Sequence, residues 1–447
     1  MAEPIISVSG LRGIVGETLT PQVAIRYVAA FAALAPEGPF VVGRDGRPSG
    51  MMLAAAVQSA LMAAGRTAVD AGVAATPTLG VLVRSLGAGG GIQITASHNP
   101  APYNGIKLFS REGRVIPGDR GQEVLDRYRS GPEVWVPFDR LGGCTTLADN
   151  HSDHLEAVLA QVDVEAIRAR RFRVVLDSNH GAGSVLGLIL LESLGCQLIP
   201  QGDSPDGLYD HPPEPTADNL QTVLGKVVEA EAAVGFCQDP DADRLALIDE
   251  RGRYIGEEYT LALCVEHVLQ QRHGPIVVNC ATSRMSADIA ARHGVPCHRA
   301  AVGEANVVDM MLRTGAVFGG EGNGGPIDPK VGWVRDSFVG MALVLDAMAQ
   351  RNQPLSTMAD ALPRYEIVKT KYALPADKVA PAVAALRGRF GEAKCNTMDG
   401  LRLDWPDRWL LVRASNTEPI VRAIAEAPTA AEARALCDAA AEVLRGV

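Results

Sequence analysis

The sequence predicts an α/β protein: three repeated α/β/α domains with mixed or parallel sheets, followed by a smaller C-terminal α+β domain. Three observations carry this expectation. A β-branched run, a polar loop and a serine recur in one form at 40–49 (FVVGRDGRPS), 173–184 (RVVLDSNHGAGS) and 276–286 (IVVNCATSRMS). Each is followed by a helical stretch closing on a glycine (Gly65, Gly195 or Gly294), then by a second strand, a second helix and a third strand. From about residue 365 the pattern stops.

Within each repeat the order strand, helix, strand, helix, strand is that of sheets whose strands run parallel. The serine at the end of each loop is placed to cap the helix that follows. The third strands lie in GGGIQITASHNP (89–100), AAVGFCQDPDADR (232–244) and AVFGGEGNGG (316–325), and lead into polar loops headed by Ser97, Asp239 and Glu321. Ligands of such sheets bind beyond the carboxyl ends of the strands. Three domains packed around one cleft would therefore turn these loops toward one another. In the last part, WLLVRASNTEPIVRAIAEA (409–427) reads as two strands joined by a polar turn, and TAAEARALCDAAAEVLR (429–445) as a closing amphipathic helix. The expected domains are 1–150, 151–252, 253–364 and 365–447.

Composition narrows the class. A chain of 447 residues exceeds one core and predicts about three or four domains. Apolar content is 47%, and no stretch approaches the unbroken apolar run of about 20 residues that crosses a bilayer. The start, MAEPIISVSG, lacks the basic residues and apolar core of a secretion signal. The eight cysteines include no CxxC pair, and most lie in apolar surroundings, as Cys264 and Cys437 do. Buried thiols in a reducing cytosol are expected, and with them a cytoplasmic protein. A formal charge of -10 argues against nucleic acid or an acidic membrane as partner. Any phosphate must then be met by local clusters of cations.

Several loops carry chemistry. In DPDADR, Asp239, Asp241 and Asp243 alternate, so an extended loop would turn three carboxylates to one point. Three like charges need a cation, and hard oxygen ligands suit Mg²⁺. Asp239, Asp241, Asp243 and Glu250 also fit four positions of an EF-hand, but Arg244 stands where that loop requires glycine, and RLALID continues as a strand. Ser97 alone could be a turn residue. There is no GxSxG elbow, and side chains of adjacent residues in a strand-like loop diverge, which separates His98 from Ser97. The functional reading gains from Lys107 in NGIKLF, ten residues on, which can orient phosphate or move a proton. In GGEGNGG, Glu321 and Asn323 suit sugar hydroxyls. RASNTEPIVR supplies Arg413, Ser415, Asn416, Thr417 and Arg422 for a dianion. Arg12, between Gly10 and Gly13, and Arg44, Arg47 and Ser49 in GRDGRPS, are further candidates for reaching phosphate.

Together these motifs resemble those of the α-D-phosphohexomutases, the family of phosphoglucomutase, phosphomannomutase and phosphoglucosamine mutase. The resemblance spans nearly the whole chain in the family's order: SGLRG, TASHNP with YNGIK, DPDADR, GEGNGG and RASNTEP. It implies a heart-shaped molecule around a central cleft, with Ser97 carrying phosphate as phosphoserine. The implied reaction interconverts hexose 6-phosphate and hexose 1-phosphate through a hexose 1,6-bisphosphate, which is both intermediate and activator. One Mg²⁺ per chain would be held by Asp239, Asp241, Asp243 and Ser97. Arg12, Lys107 and His98 fall in the catalytic set. Arg244, Glu321, Asn323, Arg413, Ser415, Asn416, Thr417 and Arg422 fall in the substrate-binding set. The expected partner is a small phosphosugar, with no nucleic acid or membrane, and the chain a monomer or homodimer. Two departures stand out: GEGNGG replaces the frequent GExSG, and VGEAN places Glu304, Ala305 and Asn306 where many members have a lysine or arginine. Such loops favour glucosamine phosphate over mannose or glucose phosphate. A magnesium-dependent sugar phosphatase is the alternative from another class, and a non-catalytic sugar-phosphate sensor a third.

Overall fold

The computed structural model describes residues 4–7, 10–133, 135–414 and 420–446. Among these, the strands form four sheets. The first holds β1 (Ile5–Ser7), β2 (Gly10–Ile14), β3 (Phe40–Arg44), β4 (Ala68–Val73), β5 (Gly90–Ile94), β6 (Tyr103–Ser110) and β7 (Cys144–Thr146), in the order β1-β2-β6-β5-β3-β4-β7. The second holds β8 (Arg173–Asp177), β9 (Gln197–Gln201), β10 (Val234–Gln238) and β11 (Leu245–Asp249), in the order β11-β10-β8-β9. The third holds β12 (Ile276–Asn279), β13 (Cys297–Ala300), β14 (Phe318–Glu321) and β15 (Gly325–Ile327), in the order β13-β12-β14-β15. The fourth is antiparallel throughout: β16 (Glu366–Ala373), β17 (Lys394–Asn396), β18 (Leu401–Asp404), β19 (Trp409–Ala414) and β20 (Ile420–Ala427), ordered β16-β20-β19-β18-β17.

The internal repeat is therefore a shared topology. In each of the first three sheets the repeat's first strand lies between its second and third, parallel to both, and an antiparallel return strand follows the third. The return strands β6, β11 and β15 make the sheets mixed. Parallel neighbours need a crossover, supplied for example by the helices Gly50–Ala63 and Thr76–Ser85 around β4. Gly65, Gly195 and Gly294 adopt φ of 75°, 72° and 67° just past their helices, the left-handed turn that glycine makes without steric cost.

The serines, by contrast, do not cap. Ser49 has its hydroxyl taken by Asn104 Nδ2 at 2.9 Å. The helices Gly183–Ser193 and Met285–Arg292 begin one residue before Ser184 and Ser286. The cysteines also depart from expectation. All are free thiols, but only Cys237, Cys264, Cys280 and Cys437 are buried, while Cys144 and Cys395 are exposed. Among the described residues no helix is long and apolar enough to cross a membrane.

The second and third units share one core, in which Leu176 and Phe236 lie with Val278, Phe318 and Phe338. Burying each such side chain contributes roughly 1.5–3 kcal/mol. A buried polar chain joins all three repeats beside it. His154 Nε2 donates to Asp336 Oδ2 at 2.7 Å, and its Nδ1 lies 2.9 Å from the Thr78 hydroxyl. The fourth sheet docks on the third unit. Glu426 Oε1 accepts from Trp409 Nε1 at 2.6 Å and from the Arg284 amide at 3.0 Å. Arg402, stacked on the Trp409 ring at 4.1 Å, donates to the Cys280 carbonyl.

Replacing His154 by leucine keeps the volume but strands the Thr78 hydroxyl and one Asp336 oxygen. The expected loss is about 2–4 kcal/mol, read as a lower thermal unfolding midpoint. An unchanged midpoint would show that the chain of bonds carries no net stability.

Candidate active site

The strand β5 runs out at Ile94, and three residues later Ser97 turns left-handed at φ 49°. A non-glycine residue there is strained and must be held. Arg47 holds it. Its Nη2 donates to the Ser97 and Asn99 carbonyls at 2.7 and 2.5 Å, and its Nη1 to those of Pro100 and Tyr103 at 2.9 and 3.0 Å. Nε donates to Asp45 Oδ2 at 3.1 Å, and the same oxygen accepts from Thr95 Oγ1 at 2.7 Å. Every N–H of the guanidinium is thus spent on the protein. Arg47, read from the sequence as a residue that could reach phosphate, is instead the brace of the serine loop.

The turn brings Ser97 Oγ to 2.7 Å from Asp239 Oδ2, to which it donates. It also brings His98 Nδ1 to 3.3 Å from the same hydroxyl. The divergence expected of strand neighbours is lost because the backbone is not extended here. Burial, helped by Arg244 and Arg12, pushes the His98 imidazole down to about 3, so the ring is neutral.

The aspartates lie in the β10–β11 hairpin. The expected extended loop is a tight turn, closed by the Ala242 amide on the Asp239 carbonyl at 2.9 Å with Ala242 at φ 57°. The convergence nevertheless follows, since Asp239, Asp241 and Asp243 each offer an oxygen within 4.8 Å of the others. Three peptide carbonyls of the turn are pinned by three units. Pro240, Asp241 and Ala242 accept from the amides of Ala182, Thr76 and Ser337 at 2.8, 2.9 and 3.3 Å. Thr76 Oγ1 adds a bond to Asp241 Oδ2 at 2.6 Å.

Lys107 Nζ lies 2.6 Å from Asp241 Oδ2 and 2.9 Å from Asp243 Oδ2. Burial disfavours its charge, but the two carboxylates win and its pKa is raised. Burial likewise opposes ionisation of Asp241, yet Lys107 holds its pKa low; Asp243 is held down by Arg335. Asp239 goes the other way, pushed up by burial and by its two acidic neighbours. Asp241 Oδ1 and Asp243 Oδ1 are buried without a hydrogen-bond partner. Hard, converging, unsatisfied oxygens with excess negative charge fit a divalent cation.

Arg12 and Lys107 stand on one face of neighbouring strands. Gly10 pairs with Lys107 and Arg12 with Gly105, which places the two side chains diagonally. Arg12 Nη1 donates to Asn99 Oδ1 at 3.1 Å. Arg244 lines the cleft with Nε at 3.8–4.0 Å from Asp243 and Asp239, too far for a hydrogen bond.

A cavity of about 610 Å³ opens beside these residues and is lined by His98, Arg244, Glu321, Asn323, Arg413 and Arg422. Glu321 is largely engaged: Oε1 accepts from Asn279 Nδ2 at 2.7 Å and the Gly303 amide at 2.9 Å, and Oε2 from Arg335 Nη1 at 3.0 Å. Asn323 Oδ1 is buried and unpaired. Ser415, Asn416 and Thr417 lie outside the described residues.

Arg335, carried by no motif, went unseen in the sequence. It is buried and joins two units, donating to Asp243 Oδ2 at 2.6 Å, Glu304 Oε2 at 3.0 Å and Glu321. It explains one departure: the carboxylate of Glu304, where many members have a cation, is answered by Arg335. The other departure, Asn323 in place of serine, has no such counterpart, but the variable position before it is fixed locally. A Cβ at Gly322 would meet the carboxylate of Glu258 at 2.1 Å, so the residue after Glu321 must be glycine while Glu258 fills that space. Lys369 and Lys371 on β16 line the same cavity and were also missed.

Replacing Arg47 by lysine keeps the charge but cannot reach Asp45 and four carbonyls together. Amide hydrogen exchange in residues 95–104 is expected to accelerate about tenfold or more. Wild-type exchange there would show that the loop holds without the fork.

Residues 5–134, 151–252 and 257–365 match the alpha/beta/alpha domains I, II and III of phosphoglucomutase/phosphomannomutase, and residues 371–443 match its C-terminal domain. The phosphoglucomutase/phosphomannomutase of Thermococcus kodakarensis is 38% identical over 95% of each chain. A probable phosphoglucosamine mutase of Methanopyrus kandleri is 34% identical over 98% of this chain and 97% of the relative. The crystal structure of a phosphoglucomutase/phosphomannomutase family protein from Burkholderia thailandensis superposes with a TM-score of 0.87 at 28% identity, covering 99% of this chain and 97% of that one. Matched along its length in sequence, domain order and fold, the chain belongs to the phosphoglucomutase/phosphomannomutase family.

Proposed function

We propose that the chain is a phosphohexomutase that interconverts hexose 6-phosphate and hexose 1-phosphate through phosphoserine at Ser97, with glucosamine phosphate as its preferred sugar. One observation supports this above the rest: a strained, buried serine hydroxyl 2.7 Å from a converging aspartate triad, at the edge of a cation-lined cleft.

In the first half-reaction the bond between phosphorus and the Ser97 oxygen breaks as one forms to the free hydroxyl of the hexose monophosphate. The proton of that hydroxyl ends on the freed Ser97 oxygen, and a hexose 1,6-bisphosphate results. After the intermediate turns over, its other phosphoryl group returns to Ser97. The same bisphosphate would act as activator by loading an unphosphorylated Ser97. Asp239, Asp241 and Asp243, with a Ser97-borne oxygen, would hold one Mg²⁺, which neutralises charge on the transferred group. Lys107, kept as an ammonium by Asp241 and Asp243, orients and neutralises phosphate. Arg12, on the same strand face, shares the phosphate-orienting and acid–base work, and neutral His98 packs against the serine. Asn323 and the remaining lone pair of Glu321 face sugar hydroxyls. Arg244, Arg413, Arg422 and the segment holding Ser415, Asn416 and Thr417 would grip the phosphate that is not reacting. The relatives named probable phosphoglucosamine mutase, 32–34% identical along nearly the whole chain, support the choice of sugar.

With magnesium and a hexose 1-phosphate, the protein is expected to form hexose 6-phosphate, and Ser97→Ala to lose this by orders of magnitude with an unchanged circular dichroism spectrum. Rapid inorganic phosphate without 6-phosphate product would replace the mutase with a phosphatase. Among glucosamine, mannose and glucose phosphates, kcat/KM should be highest for glucosamine phosphate; another order would reassign the sugar.

A further inference from the structure

We infer that Lys371 of β16 is a phosphate-binding residue, which with Arg422 forms the two-cation seat for the substrate's own phosphate. This rests on the mutase reading above, where phosphoserine occupies the Ser97 end of the cleft. A hexose monophosphate must then enter with its phosphate at the opposite end, among the cations of the fourth sheet.

The register places those cations in a row. Lys371 lies opposite Arg422 on β20, and Arg422 lies opposite Arg413 on β19. Directly paired residues share a sheet face, so three positive side chains cross three adjacent strands side by side. Like charges in such positions destabilise the pairing unless something negative lies between them. All three line the cavity that also holds His98, Glu321 and Asn323.

Charge accounting separates the row into compensated and free members. Arg413 Nε donates to Asp399 Oδ1 at 3.1 Å, so its charge is partly met by the protein. Lys369, two residues before Lys371, acts on the carboxyl of Glu258, which burial pushes up to about 8 against the lowering pull of that lysine. On the facing wall Arg335 is tied to Asp243, Glu304 and Glu321. Among the described residues, Arg422 and Lys371 form no ion pair. Two uncompensated cations match a phosphate monoester, which carries roughly −1.5 to −2 at neutral pH. The chain as a whole is acidic, so this local pair must supply the attraction.

The test compares wild type, Lys371→Met and Lys371→Arg. Lys371→Met should raise KM for glucose 1-phosphate about ten- to hundredfold with kcat little changed, and Lys371→Arg should recover most of the loss. Binding of glucose 1-phosphate by calorimetry, which needs no turnover, should weaken by the same factor. Unchanged KM and affinity in Lys371→Met, with wild type turning over, would overturn the inference and leave the mutase reading intact. Absence of wild-type turnover together with weakened binding in Lys371→Met would instead overturn the mutase reading and support the seat.

Discussion

Three carboxylates packed into one buried turn are the constraint around which this molecule is arranged. Each ion taken out of water costs several kcal/mol even after relaxation, and Asp239, Asp241 and Asp243 are all fully buried. No single sheet can offset that. The first unit sends Lys107 and Thr76, the second contributes Ala182, and the third sends Arg335 and Ser337. Backbone carbonyls of the turn are divided among the three units in the same way, so the turn is shaped by all of them together. Assembly of the repeats is thereby a condition of the site. The two carboxylate oxygens still unpartnered are the part of the charge that the protein does not answer and that a cation could.

The serine loop follows the same economy of held strain. A left-handed serine costs of order 1–3 kcal/mol, and the surrounding structure must over-determine it. Arg47 does so through five donors aimed at Asp45 and four carbonyls, in a position that is almost wholly buried. The ring of Tyr209, from the second unit, lies 5.3 Å from its guanidinium and ties this brace to the neighbouring repeat. The serine loop and the acidic turn are thus positioned by separate networks that meet at a 2.7 Å contact, Ser97 Oγ to Asp239.

Much of this was legible in the sequence, because repeats and loop chemistry are local properties. The strand–loop–helix form recurring at Phe40, Arg173 and Ile276 led to the shared sheet order. Ser97 and the aspartates stood out because unusual residue types cluster after a strand. What was not legible depends on long-range contacts. Arg47 sits in a glycine-flanked arginine loop suggestive of phosphate, and only the fold shows its fork closed on carbonyls about fifty residues away. Arg335 has no motif, since its meaning lies in Glu304, Glu321 and Asp243 arriving from other segments. The tight form of the acidic turn is not legible because alternation of Asp residues is compatible with both backbones, and Ala242 gives no sign in sequence of its left-handed conformation. The serines failed as caps because Asn104 takes one hydroxyl and the other two helices start too early.

Charge placement then gives an acidic chain cations at both ends of the proposed cleft. At the serine end, Arg12 and Lys107 come from adjacent strands of the first sheet and work beside the carboxylates they neutralise. At the other end, an antiparallel sheet presents Lys371, Arg422 and Arg413 in register. Guanidinium and ammonium groups grip phosphate by charge and donor count, with little regard for which carbon bears it. Neutral polar groups such as Asn323 lie in the same cavity. A cleft built this way would tolerate the 1- and 6-phosphates alike, because its strong contacts would read the anion and only its weaker, neutral contacts the ring. In the proposed mutase, selectivity among hexoses would then fall to the glycine-rich loop, where Glu258 occupies the space beside Gly322 that a side chain would otherwise fill.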